Sequence, residues 1–243
     1  MRRSLHTAAV LAFLLALLLS GWQVSKSRSF QFFGELIPRV ETDTRVVALT
    51  FDDGPTPKGT AAALAVLEDL GVRATFFVTG AMLEEHPELG RLIVASGHAL
   101  GNHSYSHRRM VLCSPSFVGD EIERTDALIR AAGWRGEITF RPPYGKRLLV
   151  LPYYLQRTGR ATILWDIEPE SYAEVASSAE HIAEHVISNA QPGSIVLIHV
   201  MHEGRLESLR AVRLIVNGLR ARGYGFVTVQ ELLVEGAGSA PAA

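Results

Sequence analysis

The stretch RVVALTFDDGP, residues 45–55, decides how the rest of the chain is read. Arg45–Phe51 is rich in β-branched and aromatic residues and apolar enough for a strand buried on both faces, and Gly54-Pro55 ends it. Two adjacent carboxylates, Asp52 and Asp53, therefore stand at the carboxyl end of a buried strand. Side by side and partly desolvated they repel each other, so the arrangement requires a cation nearby.

Working outward, β-rich runs recur at 74–80, 98–102, 137–141, 161–165, 194–199 and 224–229. Helical stretches lie between them: 60–71 and 116–133, each ending on a glycine, then 178–190 and 206–223. Strands alternating with helices imply a parallel sheet covered by helices. The region after Phe51 is acidic and offers no glycine-rich phosphate turn, which favours a distorted (β/α)7-type barrel over an open doubly wound sheet. The reading is α/β: one catalytic domain at 45–235, a connector at 25–44, a flexible tail at 236–243, and an N-terminal signal or anchor at 1–24.

That last segment has Arg2 and Arg3, then an uncharged apolar run from Ala8 to Leu19. A basic start followed by a short apolar run reads as a secretory signal, since a membrane span needs roughly 20 residues. The small-residue cleavage pattern is poor, with Leu19 where a small residue is wanted, so an uncleaved anchor stands as the alternative. Either way the chain is expected to be exported, to the periplasm, the extracellular space or the outward face of a membrane. Its composition, 47% hydrophobic and 20% charged over 243 residues, is globular. A net charge of −1 gives no global field favouring nucleic acid, and the single cysteine, Cys113, excludes an intrachain disulfide.

On this frame the polar residues gather at strand ends. Asp52 and Asp53 follow the first strand, HSYSH (His103–His107) the third, RPPYG (Arg141–Gly145) the fourth and WDIEPES (Trp165–Ser171) the fifth, while His199 closes the sixth. In a barrel of parallel strands these ends open on one face. His103 and His107 at i, i+4 suit a metal such as zinc, and one aspartate completes three protein ligands with a position left for water. The other aspartate can take a proton from that water, and His199 can protonate a leaving group. A second pair with the same spacing, His181 and His185, sits in a helical stretch away from any strand end and reads as helix-flank histidines. No H-E-x-x-H helix and no G-x-S-x-G elbow occurs.

TFDDGP, HSYSH, RPPYG and the strand ending in His199 together resemble the polysaccharide deacetylases, the NodB-homology fold of carbohydrate esterase family 4, over about residues 45–234. The resemblance implies metal-dependent removal of acetyl groups from N-acetylated sugars. It makes Asp52 the general base, Asp53, His103 and His107 the metal ligands, and His199 the general acid. Arg141 holds Asp52, the Tyr144 amide stabilises the oxyanion, and Tyr172 walls the acetyl pocket, with Trp165 counted among the substrate-site residues. Where the family carries Asp-Trp after the fifth strand, this chain has Ser171-Tyr172, leaving Asp166, Glu168 or Glu170 to support His199. The expected partner is an N-acetylated cell-wall or surface polysaccharide, with no nucleic acid and a possible membrane tether. The alternatives are a deformylase or deacetylase of a lipid-linked sugar, and a catalytically silent glycan-binding module.

Overall fold

The computed structural model describes residues 2–202 and 204–239. The centre of the sheet is β2, Val46–Gly54, which pairs in parallel with β3 (Thr75–Val78), β6 (Ile195–Ile198) and β7 (Gly225–Val227). β4, Ala99–Asn102, extends the sheet beyond β3. A short pair, β1 (Leu36–Ile37) with β5 (Thr162–Ile163), joins through parallel bridges of Phe140 to Asn102 on one side and Thr162 on the other. Ile167, just past β5, bridges to Val196 of β6 and returns the ring to its start. The barrel is thus closed but irregular, as the alternation of strands and helices led one to expect.

The helices are α1 (Arg2–Ser25), α2 (Pro57–Leu70), α3 (Gly80–Glu85), α4 (Pro87–Ala95) and α5 (Pro115–Ala131), then α6 (Val150–Arg157), α7 (Ala179–Asn189), α8 (Leu206–Ala221) and α9 (Val229–Ser239). Their ends follow local chemistry. Proline opens α2, and Gly71 closes it in the left-handed region, at φ 59°, where its N–H bonds Glu68 and Leu67 carbonyls. Ser114 and Ser178 cap α5 and α7 through their hydroxyls.

Period-two alternation along β2 separates the two sides of the sheet. Val47, Leu49 and Phe51 belong to the large core beneath the helices, with Leu67, Ile198 and Ile215. Ala48 faces the barrel interior with Phe77, Leu164 and Leu197. Thr50 and Asp52 continue that interior phase, so the strand delivers a carboxylate into the mouth of the barrel.

The chain departs from the sequence reading at three places. The run 137–141 makes only the bridge at Phe140, because Gly136 precedes it and Pro142-Pro143, lacking N–H donors, follow at once. The connector is part of the barrel: Leu36–Ile37 form β1, and the Val40 N–H bonds the Gly193 carbonyl at 3.0 Å. Gly193 is required there, since at φ 80° an added Cβ would overlap the Val40 carbonyl. The expected tail begins as helix, with α9 running to Ser239; residues 240–243 lie outside the described part of the chain. Among the described residues no helix is long and apolar enough to cross a membrane.

Candidate metal and acid–base centre

Strict alternation would send Asp53 to the face opposite Asp52. A bulge between Asp52 and Gly54 intervenes, and Asp53 adopts left-handed backbone at φ 70°. This turns its carboxylate back beside its neighbour's. Other non-glycine residues in that conformation are Ser104, His107 and Tyr144, all in the strand-end loops of the same mouth. Such backbone is unfavourable by about 1 kcal/mol or more per residue and persists where surrounding contacts enforce it, typically at functional sites.

The enforcing contacts around HSYSH come from β4 and α5. Asn102 accepts the Ser104 N–H (2.8 Å) and donates to the Ile122 carbonyl (2.9 Å) and Asp126 (2.8 Å). Glu121 accepts the N–H groups of Tyr105 (3.0 Å) and Ser106 (2.8 Å) and the Ser106 hydroxyl (2.7 Å). The His107 N–H bonds the Ser104 hydroxyl at 3.1 Å.

Asp52 is buried and meets Arg141, itself fully buried, with Nη1 2.6 Å from Oδ1. The guanidinium also donates to the Thr50 hydroxyl (2.8 Å) and the Leu164 carbonyl (2.9 Å) and lies 4.0 Å above the Phe77 ring. A planar fork with a permanent charge fixes this carboxylate's orientation.

Asp53 faces the imidazoles. Its Oδ1 is 2.9 Å from His107 Nε2 and 3.3 Å from His103 Nε2, yet it accepts no hydrogen bond of acceptable geometry. The His103 Nδ1–H donates to the Arg141 carbonyl at 2.8 Å, which leaves a lone pair on Nε2. A buried carboxylate oxygen close to two imidazole nitrogens, without a proton aimed at it, is the arrangement a cation satisfies. The three ligand atoms lie within 4.8 Å of one another. Burial alone would raise the Asp53 pKa, but the two imidazoles outweigh it and hold the carboxyl far below the usual carboxylate range.

His199, on the interior phase of β6 with Ile195 and Leu197, comes 3.6 Å from Asp53 Oδ2. Of the three candidate supports, Glu170 takes the role. Its Oε2 accepts from His199 Nδ1 at 2.5 Å and from the His199 N–H at 2.9 Å, and Ser208 donates to Oε1. Burial opposes the charged imidazole, but the bond to Glu170 and the charges of Asp52, Glu170 and Asp53 prevail, so the His199 pKa is raised. Asp166 is committed to Ser194 and the Ile195 N–H, and Glu168 to Trp165 Nε1 and Arg28.

Asp52, Asp53, His103, His107, Arg141 and His199 thus share one mouth, and Tyr144 joins them with its ring 4.7 Å from that of His107. Buried Trp165 lies behind, 5.4 Å from the Arg141 guanidinium. Tyr172 is exposed and contacts His185 of α7, ring centroids 5.3 Å apart. His202, passed over in the sequence, stands 4.0 Å from Asp53 and lines a groove of about 220 Å³ with Met82, Tyr105 and His107. Its proximity to the strand-end His199 was the available signal. Cys113 is a loop thiol, with burial first among the causes raising its pKa.

A parallel barrel whose strand ends carry two carboxylates, three imidazoles and a buried arginine has the fold and site of a hydrolase that pairs a candidate metal cluster with a base and an acid. The polysaccharide deacetylase family model matches residues 39–163, and the chain belongs to that family of hydrolases. It is 32% identical over 195 residues, 80% of this chain and 91% of the relative, to a peptidoglycan-N-acetylglucosamine deacetylase of Bacillus cereus. It is 29% identical to a chitooligosaccharide deacetylase of Azorhizobium caulinodans, covering 76% and 93% of the two chains. Among solved structures, a peptidoglycan N-acetylglucosamine deacetylase superposes with TM-score 0.74 at 31% identity over 80% of this chain and 90% of that one. A family pseudoenzyme from Bacillus anthracis superposes with TM-score 0.72 at 25% identity, covering 81% and 68%.

Proposed function

We propose that the protein is a metal-dependent deacetylase that hydrolyses N-acetyl groups of an N-acetylglucosamine-containing cell-wall glycan. The observation that carries this reading is the joint presence of the Asp52–Arg141 pair, the Asp53–His103–His107 cluster and the His199–Glu170 pair at one mouth. Relatives named for peptidoglycan and chitooligosaccharides support the substrate class. The intact set argues against a silent binding module.

One carboxylate and two imidazoles suit zinc; Asp53, His103 and His107 would hold it, and it would supply a lowered water pKa and polarisation of the acetyl carbonyl. Asp52, kept oriented by Arg141, accepts the proton of the attacking water. The Tyr144 amide donates to the oxyanion that develops as the carbonyl carbon becomes tetrahedral. His199, its pKa raised by Glu170 among other carboxylates against the effect of burial, gives its proton to the sugar nitrogen as the C–N bond breaks, leaving acetate and a free amine. Water attack needs a proton acceptor and amine departure a proton donor, and the opposite partners of Asp52 and His199, a cation and a carboxylate, suit these opposite roles.

Export is part of the reading. The segment Arg2–Ser25 is helical with exposed apolar side chains from Val10 to Leu19, and it supports a leader or a tether. A lipid-linked sugar substrate is the second reading, favoured because the Ser25 carbonyl accepts the Arg147 N–H (3.1 Å), close to Tyr144.

The test is acetate release from N-acetylglucosamine oligomers and from peptidoglycan, before and after chelation and zinc restoration. Restored release is expected. Asp52→Asn should keep its metal and lose about 10²–10⁴-fold in turnover; undiminished turnover would assign the base elsewhere.

A further inference from the structure

Beside the centre lies a second cleft of about 330 Å³, between the connector and the loop that follows Arg141. Lys26, Arg28 and Lys146 line it together with Tyr144 and Trp165, Arg28 lying 5.1 Å over the Trp165 ring and the Lys146 ammonium 4.7 Å from that of Trp22. Tyr144 is shared with the centre, where its ring meets His107. Trp165 is the residue stacked behind Arg141.

The charge around this cleft is unbalanced. Its carboxylate, Glu168, is engaged: Oε2 accepts from Arg28 at 2.6 Å and from Trp165 Nε1 at 2.9 Å. Lys26, Lys146 and Arg109 form no ion pair among the described residues, and Arg109 lies 4.8 Å over the Tyr144 ring. Arg147 is buried against neutral acceptors, the carbonyls of Gly145 (2.9 Å) and Ser27 (2.7 Å) and the amide oxygen of Gln31 (2.9 Å). These cations feel one another. Lys146 is held below its ordinary pKa first by partial burial and then by Lys26, Arg109 and Arg147. In a chain of net charge −1 such a collection is local, and a concave site lined by one sign of charge concentrates the opposite one.

We propose that this cleft is a subsite for an oxyanion-bearing substituent, a carboxylate or a phosphate, on the sugar adjoining the one that loses its acetyl group. The proposal rests on the deacetylase reading for the identity of the neighbouring site. Lys26 and Lys146 both line the cleft and can meet the anion, while the half-exposed Tyr144 ring offers an apolar wall to the sugar. A membrane surface is the competing source of negative charge. Concavity and the wall shared with His107 favour a glycan.

The experiment is calorimetric binding by the full chain of four probes at low and high salt. These are a neutral N-acetylglucosamine oligomer, a glycan fragment with a lactyl carboxylate on the adjoining sugar, the same fragment reduced to the alcohol, and a 6-phosphorylated oligomer. The anionic probes should bind about tenfold more tightly than their neutral counterparts at low salt, the sum of two modest ion pairs. Their relative affinities distinguish carboxylate from phosphate. In Lys26→Gln/Lys146→Gln the ratio should fall towards one. Lys26→Glu, a single change at an exposed position, should lower it without burdening the fold.

Equal affinity for charged and neutral probes, or a preference that survives both variants, overturns the subsite. So does binding to anionic vesicles that the variants abolish while no fragment is discriminated, which assigns the cations to a membrane. Acetate release measured on the same samples separates the two layers. Release without charge preference sinks the subsite alone. Charge preference without release keeps the subsite and sinks the deacetylase reading.

Discussion

His103/His107 and His181/His185 have the same spacing and opposite fates. The second pair rides on α7, where i, i+4 puts both rings on one helix face; His181 is exposed and hydrogen-bonded near Ser177 and Glu174, and His185 leans on Tyr172. The first pair is not on a helix. It sits in a loop with left-handed backbone at Ser104 and His107, pinned by Asn102 and Glu121, with His103 locked by the Arg141 carbonyl. Spacing permits chelation in either pair, but only the first pair adds a fixed tautomer and a facing carboxylate.

Removing a member of the first pair tests that contrast most severely. His107→Ala should abolish stoichiometric metal binding, read by elemental analysis of dialysed protein, and reduce acetate release to background. A full complement of metal in this variant would show the cluster is not the ligand set.

Breaking the Asp52–Arg141 pair comes next. Arg141→Gln leaves a buried carboxylate without its cation, which is unfavourable by about 3–5 kcal/mol. Chemical denaturation should show that loss, and a stability change below about 1 kcal/mol would mean that Asp52 is far better solvated than its burial implies.

Glu170→Gln is expected to act through His199. In the native protein the glutamate raises the imidazole pKa, so the protonated acid persists to higher pH. Glutamine removes that charge and the pKa falls. The alkaline limb of the kcat profile should therefore move to lower pH, with a modest loss at the optimum. An unmoved limb would separate Glu170 from proton delivery and reduce it to a structural anchor.

The double variant His181→Ala/His185→Ala completes the comparison from the other side. Metal content should be unchanged and stability should shift by less than about 1 kcal/mol, as for surface positions generally. Lost metal here would put a second ion on α7.

The family, the alternation of strands and helices, and the clustering of Asp52, Asp53, His103, His107, Arg141 and His199 at strand ends were legible in the sequence. They depend on local composition and on one general property of parallel barrels, that their carboxyl ends share a face. What the sequence could not reveal involved pairings between distant segments or departures from regular backbone. It left Glu170, Asp166 and Glu168 equivalent as supports for His199, because their order along a loop says nothing about which one folds back on β6. It treated residues 25–44 as a connector, since a two-residue strand carries no periodicity and is defined only by its partner at 162–163. It missed the cationic cleft, whose members come from 26–28, 109 and 146–147 and meet only in the folded chain. The clearest division falls at TFDDGP itself. Sequence determined that two carboxylates stand at a strand end; the tertiary structure decided that both enter one mouth, because a bulge and a left-handed Asp53 undo the alternation that would have parted them.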